Sequence, residues 1–178
     1  MKFNLHYLII YFIIILKHIK NINLYNKKYK QPILGVKPNG FWYGCNNDWY
    51  KWCKYEGMNE FLLKYIHKIS LNYNIKTTLN KPNKEKLLII NNEKDFIKFD
   101  KLYGITKQKY RYIIWKMVFN DFGGIEICPH FNKFVGNEKY MWYWSWDVAS
   151  GCIWNIKTII KKIEPIYIKN KNGKYLKL

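Results

Sequence analysis

The segment from Leu63 to Tyr73 alternates two kinds of side chain, and this period of two predicts a β-strand with one buried face. Apolar and aromatic residues, together with His67, occupy the odd positions, whereas polar residues such as Lys68 dominate the even ones. A strand of this kind needs hydrogen-bonded neighbours and a core that covers its apolar face. The chain therefore has to build a sheet, and its 178 residues suffice for one domain with a real core.

Shorter patterns predict the elements around this strand. Helices are expected at Trp49–Glu56, from Asn92 to Tyr103, and over residues 109–121, where Gly123-Gly124 end the last one. A polar loop is expected over residues 74–85. Strands are expected on both sides of a Pro-Asn-Gly turn within 33–45, and at residues 87–90, 125–128, 140–146, 152–154, 166–168 and 175–178. This pattern predicts an α+β fold, a single domain over residues 32–178 with a mixed, mostly antiparallel (split) sheet and a few short helices.

Residues 1–31 combine an apolar segment with a basic linker. The apolar stretch runs from Phe3 to Leu16, and as a helix it would span about 21 Å, short of a bilayer core of about 30 Å. Four interpretations stay open: a short membrane anchor, a buried or membrane-surface helix, an atypical signal, or an extension upstream of the domain. Lysines follow the segment, which favours a cytoplasmic location for the body, with membrane contact through residues 3–16.

The chain is strongly basic, with a formal charge of +19. Basic chains often bind nucleic acid, but 30 of the 31 cations are lysines and only Arg111 offers the planar guanidinium that reads phosphates and bases. Lys, Asn and Ile are all encoded by AT-rich codons, so this composition is also expected from an AT-rich genome. Charge alone therefore leaves codon bias, a general attraction to anions and a nucleic-acid groove as alternatives.

The cysteine spacing excludes the common zinc motifs. Cys45, Cys53, Cys128 and Cys152 contain no C-x-x-C pair, and we expect buried thiols and no metal site. A nucleophile formed by Cys152 with His67 or His130 is the alternative use of these thiols. Phosphate-binding motifs of the G-x-G-x-x-G and G-x-x-x-x-G-K types are absent from the sequence.

The aromatic segment 141–154 offers stacking surfaces beside a carboxylate, that of Asp147. Trp42, Trp142 and Trp144 are the candidate side chains for stacking on a nicotinamide, a nucleobase or a sugar ring. The alternative is a core strand followed by a tight turn.

Two other segments carry a family resemblance. The first is Phe41-Trp42-Tyr43-Gly44-Cys45, and the second is Gly-Gly-Ile-Glu-Ile around Glu126, whose side chain points away from its isoleucine neighbours in a strand. In this order they resemble the ADP-ribosyltransferase superfamily of the diphtheria-toxin and poly-ADP-ribose-polymerase type. The pattern of residues 33–160 also looks like that of uncharacterised proteins of large DNA viruses, for which the location would be the host cytoplasm.

The resemblance implies a glycosyltransferase that cleaves the nicotinamide–ribose bond of NAD, with NAD as a co-substrate and no tightly bound cofactor. It implies that Glu126 stabilises the ribose oxocarbenium ion and that Tyr43, in the place of the family's histidine, positions the ribose. Gly44 and Lys37 would help to bind NAD, and a protein or nucleic acid would be the acceptor. The alternatives are a solvated Glu126 near a sheet edge, and with it a non-catalytic binding module or a nucleic-acid-binding module.

Overall fold

The alternating segment lies within a large mixed sheet. The computed structural model describes residues 7–9 and 28–178. Strand β3 runs Tyr65–Leu71, and its two buried side chains, His67 and Ile69, both belong to the predicted inner face. The other strands are β1 (Tyr7–Ile9), β2 (Phe41–Cys45), β4 (Lys76–Thr77), β5 (Asn83–Ile90), β6 (Gly104–Lys107), β7 (Tyr110–Ile113), β8 (Phe122–Ile127), β9 (Ser150–Ile153), β10 (Ile160–Lys169) and β11 (Tyr175–Lys177).

Nine of the described strands form one sheet in the order β11-β10-β3-β1-β2-β9-β8-β5-β4. The pairs β4–β5 and β5–β8 are parallel, and the other pairs in this sheet are antiparallel. Strands β6 and β7 form a separate antiparallel hairpin. The predicted α+β class with a mixed, mostly antiparallel sheet and a few short helices is confirmed.

Four helices complete the described elements: α1 (Asp48–Tyr55), α2 (Glu93–Tyr103), α3 (Trp115–Asp121) and α4 (Ile156–Ile159). Helix α2 begins where the sequence predicts, because the Asn92 side chain accepts a hydrogen bond from the Asp95 backbone N–H. Helix α1 starts one residue early, and Asp48 is its first residue instead of its cap. Short 3₁₀ turns lie at Asn59–Phe61, Asn132–Phe134 and Glu138–Tyr143.

The core is divided between the two faces of the sheet. The larger cluster centres on Phe96 of α2, whose ring stacks on Phe134 and Trp142 with centroids 4.5 and 5.1 Å away. The smaller cluster covers the opposite face and includes Phe41, Tyr43 and residues of α4. Aromatic rings therefore fill most of one face and aliphatic side chains most of the other.

Two predictions in the first half of the chain are wrong. The strand predicted from residue 33 up to the Pro-Asn-Gly turn does not form, and Gly35 makes only a single bridge to Ile113. The predicted polar loop 74–85 contains β4 and the start of β5, because Lys76 and Thr77 pair in parallel with Leu87 and Leu88. Parallel pairing joins residues that have no local turn between them, so local patterns do not predict it.

The predicted helix over residues 109–121 is a strand followed by a helix. Strand β7 pairs with β6 through a two-residue turn at Gln108 and Lys109, where Gln108 adopts φ +57°. Helix α3 begins only at Trp115. The prediction that Gly123 and Gly124 end this helix is also wrong, because both glycines lie inside β8.

The predicted strand over residues 140–146 does not form, because this part of the chain is the 3₁₀ helix Glu138–Tyr143 followed by a turn. The Asn137 side chain accepts a hydrogen bond from the Lys139 backbone N–H and opens this turn. Trp142 is then fully buried, whereas Trp144 is 60% exposed, so these side chains do not share a face as the strand prediction required. The terminal hairpin is confirmed, with a longer first strand, β10, than predicted.

The apolar amino-terminal segment is described only at Tyr7–Ile9. These residues form β1 between β2 and β3, so the helical interpretation is wrong for them. The rest of Phe3–Leu16, with its predicted membrane contact, lies outside the described residues. Among the helices in the described part of the chain, none combines the length and the apolar character of a membrane span.

The packing around Phe96 gives a first prediction. Replacing Phe96 by Ala should lower the free energy of unfolding by about 3–5 kcal/mol, because the ring is fully buried among five aromatic neighbours. The matched control is Ile97→Ala on the same helix, since Ile97 is 45% exposed and should lose far less. Urea unfolding measures both variants, and equal losses would contradict the assigned core.

Candidate active site

Three neighbouring strands bring the predicted acid and phenol onto one row of the sheet. Strand β9 lies between β2 and β8, and Gly151 of β9 pairs with Tyr43 on one side and with Glu126 on the other. Residues that pair directly across neighbouring strands point their side chains to the same face of the sheet. Tyr43 and Glu126 therefore face the same way across the strand that separates them.

Gly151 is what allows the two side chains to meet. A Cβ atom at this position would lie 2.4 Å from both Cζ and Oη of Tyr43, so the phenol ring occupies the space directly above the glycine. Because the glycine has no side chain, Tyr43 can extend across β9. Its hydroxyl donates a hydrogen bond of 2.6 Å to Oε2 of Glu126.

Glu126 is a buried carboxylate with a second, cationic partner. The residue is only 2% exposed, and its Oε1 lies 3.4 Å from Nζ of Lys76. The Lys76 side chain is 46% exposed, so the ion pair leads from the interior to the surface. The alternative of a solvated Glu126 is wrong. Burial of a carboxylate is unfavourable unless hydrogen bonds and a counter-charge offset the desolvation, and Tyr43 and Lys76 supply both.

Two thiols adjoin this row. Cys45 follows Tyr43 on β2 by two residues, and Cys128 lies two residues beyond Glu126. A hydrogen bond with Cys128, burial and the charge of Glu126 all raise the pKa of Cys45. The same hydrogen bond lowers the pKa of Cys128, because it stabilises the thiolate, and the Lys76 charge acts in the same direction.

Trp42 and Lys37 lie on the opposite face of the sheet. Trp42 packs edge-on against Trp146 at 4.9 Å in the larger cluster, and Lys37 lies over the Trp42 ring at 5.3 Å. Lys37 also pairs with Asp147 at 3.8 Å, and burial lowers the pKa of its ammonium group. Gly44 pairs with Ser150 within the sheet. The structure thus does not bring Trp42 and Lys37 together with Glu126.

Neither of the two candidate tryptophans in the aromatic segment lies beside Glu126. Trp142 is a core residue whose Nε1–H donates to Oδ1 of Asp100 at 2.9 Å, and Trp144 is largely exposed. The predicted pair of Cys152 with His67 or His130 is not assembled either. Cys152 belongs to the larger cluster, whereas His67 shares the face of Ile69. The ring nitrogens of His130 contact the Asn132 side chain and the Trp146 carbonyl instead. Within the described ranges, no cluster of His, Cys, Asp and Glu is arranged to hold a metal ion.

Sequence reasoning missed two parts of this site. Lys76 belongs to the predicted polar loop 74–85, and only the parallel pairing of β4 brings it beside Glu126. Gly151 falls between the predicted strands 140–146 and 152–154, although a glycine at such a position is a signal that another group approaches the backbone closely. The separation of 83 residues between Tyr43 and Glu126 left the pairing to the family resemblance alone.

The thiols of this site provide a reactivity test. Cys128 is the half-buried cysteine, whereas Cys45, Cys53 and Cys152 are buried, so iodoacetamide should modify Cys128 first. Because the pKa of Cys128 lies below that of an ordinary thiol, its labelling rate should level off at a lower pH than that of a free cysteine. Mass spectrometry of labelled peptides over a pH series measures this. Cys128→Ser should remove the fast phase, and a fast phase that persists would contradict the assignment.

Comparison with known proteins adds no relative: no family model matches the chain, and neither the curated proteins nor the solved structures include one that is significantly similar to it.

Proposed function

We propose that this chain is an ADP-ribosyltransferase-like enzyme that acts on the nicotinamide–ribose bond of NAD. The observation that supports the proposal is the hydrogen bond of 2.6 Å between Tyr43 and Glu126. The family resemblance rests on these two residues, which are far apart in the sequence and meet as a buried pair on one face of the sheet.

The chemistry requires a carboxylate at the point where positive charge develops. When the bond between ribose C1′ and the nicotinamide nitrogen breaks, its electron pair leaves with nicotinamide, and the ribose becomes an oxocarbenium ion. Glu126 stabilises that ion electrostatically, and the low-dielectric interior around it strengthens this interaction. An acceptor nucleophile, or water, then adds to C1′ and releases a proton.

Tyr43 and Lys76 have supporting roles in this mechanism. The Tyr43 hydroxyl donates its hydrogen bond to Glu126. A ribose hydroxyl can therefore donate a hydrogen bond to the Tyr43 oxygen. Lys76 holds Oε1 of Glu126 and is half exposed, so an incoming pyrophosphate can attract its ammonium group. Movement of Lys76 towards the phosphates would leave the carboxylate facing C1′. Trp42, Trp142 and Lys37 have no role in this proposal, because they lie away from Glu126.

The cellular setting follows from the thiols and the co-substrate. No disulfide joins the four cysteines, which is typical of a reducing compartment. We place the activity in the cytoplasm, where NAD is available, with a protein or nucleic acid as the acceptor.

The near-complete burial of Glu126 favours a second candidate function. A carboxylate that is 2% exposed and satisfied by Tyr43 and Lys76 is also what a purely structural pair looks like. In that case the chain would be a non-catalytic binding module that uses its basic surface, and it would not turn over NAD.

Replacement of Glu126 by Gln separates the two candidates. The purified chain should release nicotinamide from NAD, and Glu126→Gln should lower that rate by about 100-fold or more, because the amide cannot stabilise the oxocarbenium charge. Release is measured by chromatography, and thermal unfolding shows whether the variant is folded.

The matched control is Glu164→Gln in β10, a glutamate that is ion-paired with Lys162 and lies several strands away. It should keep the full rate. Tyr43→Phe, which leaves the carboxylate in place, should slow release to an intermediate rate. A folded wild-type chain whose melting temperature is unchanged by NAD, and which releases no nicotinamide, would refute the enzyme and support the binding module.

A further inference from the structure

A cavity of about 370 Å³ lies beside helix α2, away from the Glu126 site. Its walls come from α2, the β6–β7 hairpin and the 3₁₀ helix Glu138–Tyr143, which pack on the larger core cluster. Glu126 faces the opposite side of the sheet, with the smaller cluster. A cavity of this size is in the range of small-molecule sites.

The charges around the cavity are predominantly positive. Lys101, Lys109, Arg111 and Lys139 contribute four cations, against the carboxylates of Asp100 and Glu138. In the described part of the chain, Lys101, Lys109 and Lys139 form no ion pair with a carboxylate. These ammonium groups come from a helix, a hairpin turn and a 3₁₀ helix, so the fold gathers them from separate parts of the sequence.

Asp100 offsets the charge of one cation, Arg111, which leaves three lysines against Glu138 for a ligand. The residue is 4% exposed, and Oδ2 accepts a hydrogen bond of 2.6 Å from Nε of Arg111. Oδ1 accepts the indole N–H of Trp142 at 2.9 Å. Asp100 therefore serves to hold the guanidinium, and Glu138 is the remaining acidic side chain of the cavity.

Arg111 is fixed in position with donors to spare. Besides Nε, one N–H of Nη2 donates to the Asp100 carbonyl at 2.7 Å, and Nη1 approaches Oγ1 of Thr106 at 3.3 Å. These contacts use three of the five N–H groups of a guanidinium. The side chain is 21% exposed and lines the cavity, so a rigid, planar donor group is presented in a cavity that three lysines also line.

We propose that this cavity binds the phosphate group of a small phosphate ester. A fixed guanidinium matches the oxygens of a phosphate, and flexible ammonium groups add charge around it. Ile97 and Tyr140 provide an apolar wall on which the organic part of an ester can rest. The site shares no residue with the proposed NAD site, so it stands or falls independently of the enzymatic proposal.

Isothermal titration of the full chain at low salt tests this proposal, with AMP, inorganic pyrophosphate and citrate as probes. AMP and pyrophosphate should bind, and tighter binding of AMP would identify an ester as the preferred source of the phosphate. Citrate, an anion without an aromatic group to rest on Ile97 and Tyr140, should bind at least about tenfold more weakly than AMP. The titrations are repeated with Glu126→Gln, which should bind AMP unchanged if the NAD site is not involved.

The pair Lys109→Gln and Lys139→Gln should weaken AMP binding by about tenfold or more. The charge-matched control is Lys171→Gln with Lys174→Gln, two exposed lysines in the β10–β11 turn, which should change the affinity less than about twofold. Arg111→Lys keeps the charge but not the planar fork, and it too should weaken binding. Failure of AMP to bind, equal binding of citrate, or equal losses for both lysine pairs would overturn the proposal.

Discussion

The burial of the Glu126 carboxylate is the constraint on which the rest of the structure depends. A charged oxygen that leaves water must recover its hydrogen bonds from the protein, and here the phenol of Tyr43 and the ammonium of Lys76 provide them. Tyr43 comes from the internal strand β2 and Lys76 from the edge strand β4, which lie on opposite sides of β8 and β9 in the sheet. The strand order therefore has to place β2, β9, β8, β5 and β4 in sequence for the carboxylate to be tolerated.

A second buried carboxylate follows the same rule on the other face. Asp100 is held by the Arg111 guanidinium and by the Trp142 indole, so each acid has one aromatic donor and one cation. Trp142 is also part of the ring cluster around Phe96, which ties α2 to the 3₁₀ helix. The two acids have different settings, since aromatic rings surround Asp100 and aliphatic side chains of the smaller cluster adjoin Tyr43. Both satisfied acids are thereby fixed in orientation, which is what a binding or catalytic group requires.

Local sequence patterns predicted the elements whose periodicity is complete within a few residues. The alternation around His67 and Ile69 and the Asn92 cap are of this kind, and both are present in the structure. The errors fall where a distant contact decides the conformation. Residues 140–146 alternate like a strand, but the hydrogen bond from Trp142 to Asp100 and the Asn137 cap favour a 3₁₀ helix. The pairing of Tyr43 with Glu126 was predicted from the family resemblance. The position of Lys76 could not be predicted, because parallel pairing of strands produces no local sequence pattern.

A double-mutant cycle with Tyr43→Phe and Glu126→Ala tests the central claim most directly. Tyr43→Phe removes the donor of the hydrogen bond and Glu126→Ala removes its acceptor, whereas an amide at position 126 would still accept the bond. Urea unfolding gives the free energy of unfolding of all four proteins. If the buried bond organises this face of the sheet, the two substitutions should be coupled by about 1.5–3 kcal/mol, the range for a hydrogen bond to a charged group. Effects that add to within about 0.5 kcal/mol would contradict the account, because they would mean that the phenol and the carboxylate do not interact in the folded chain.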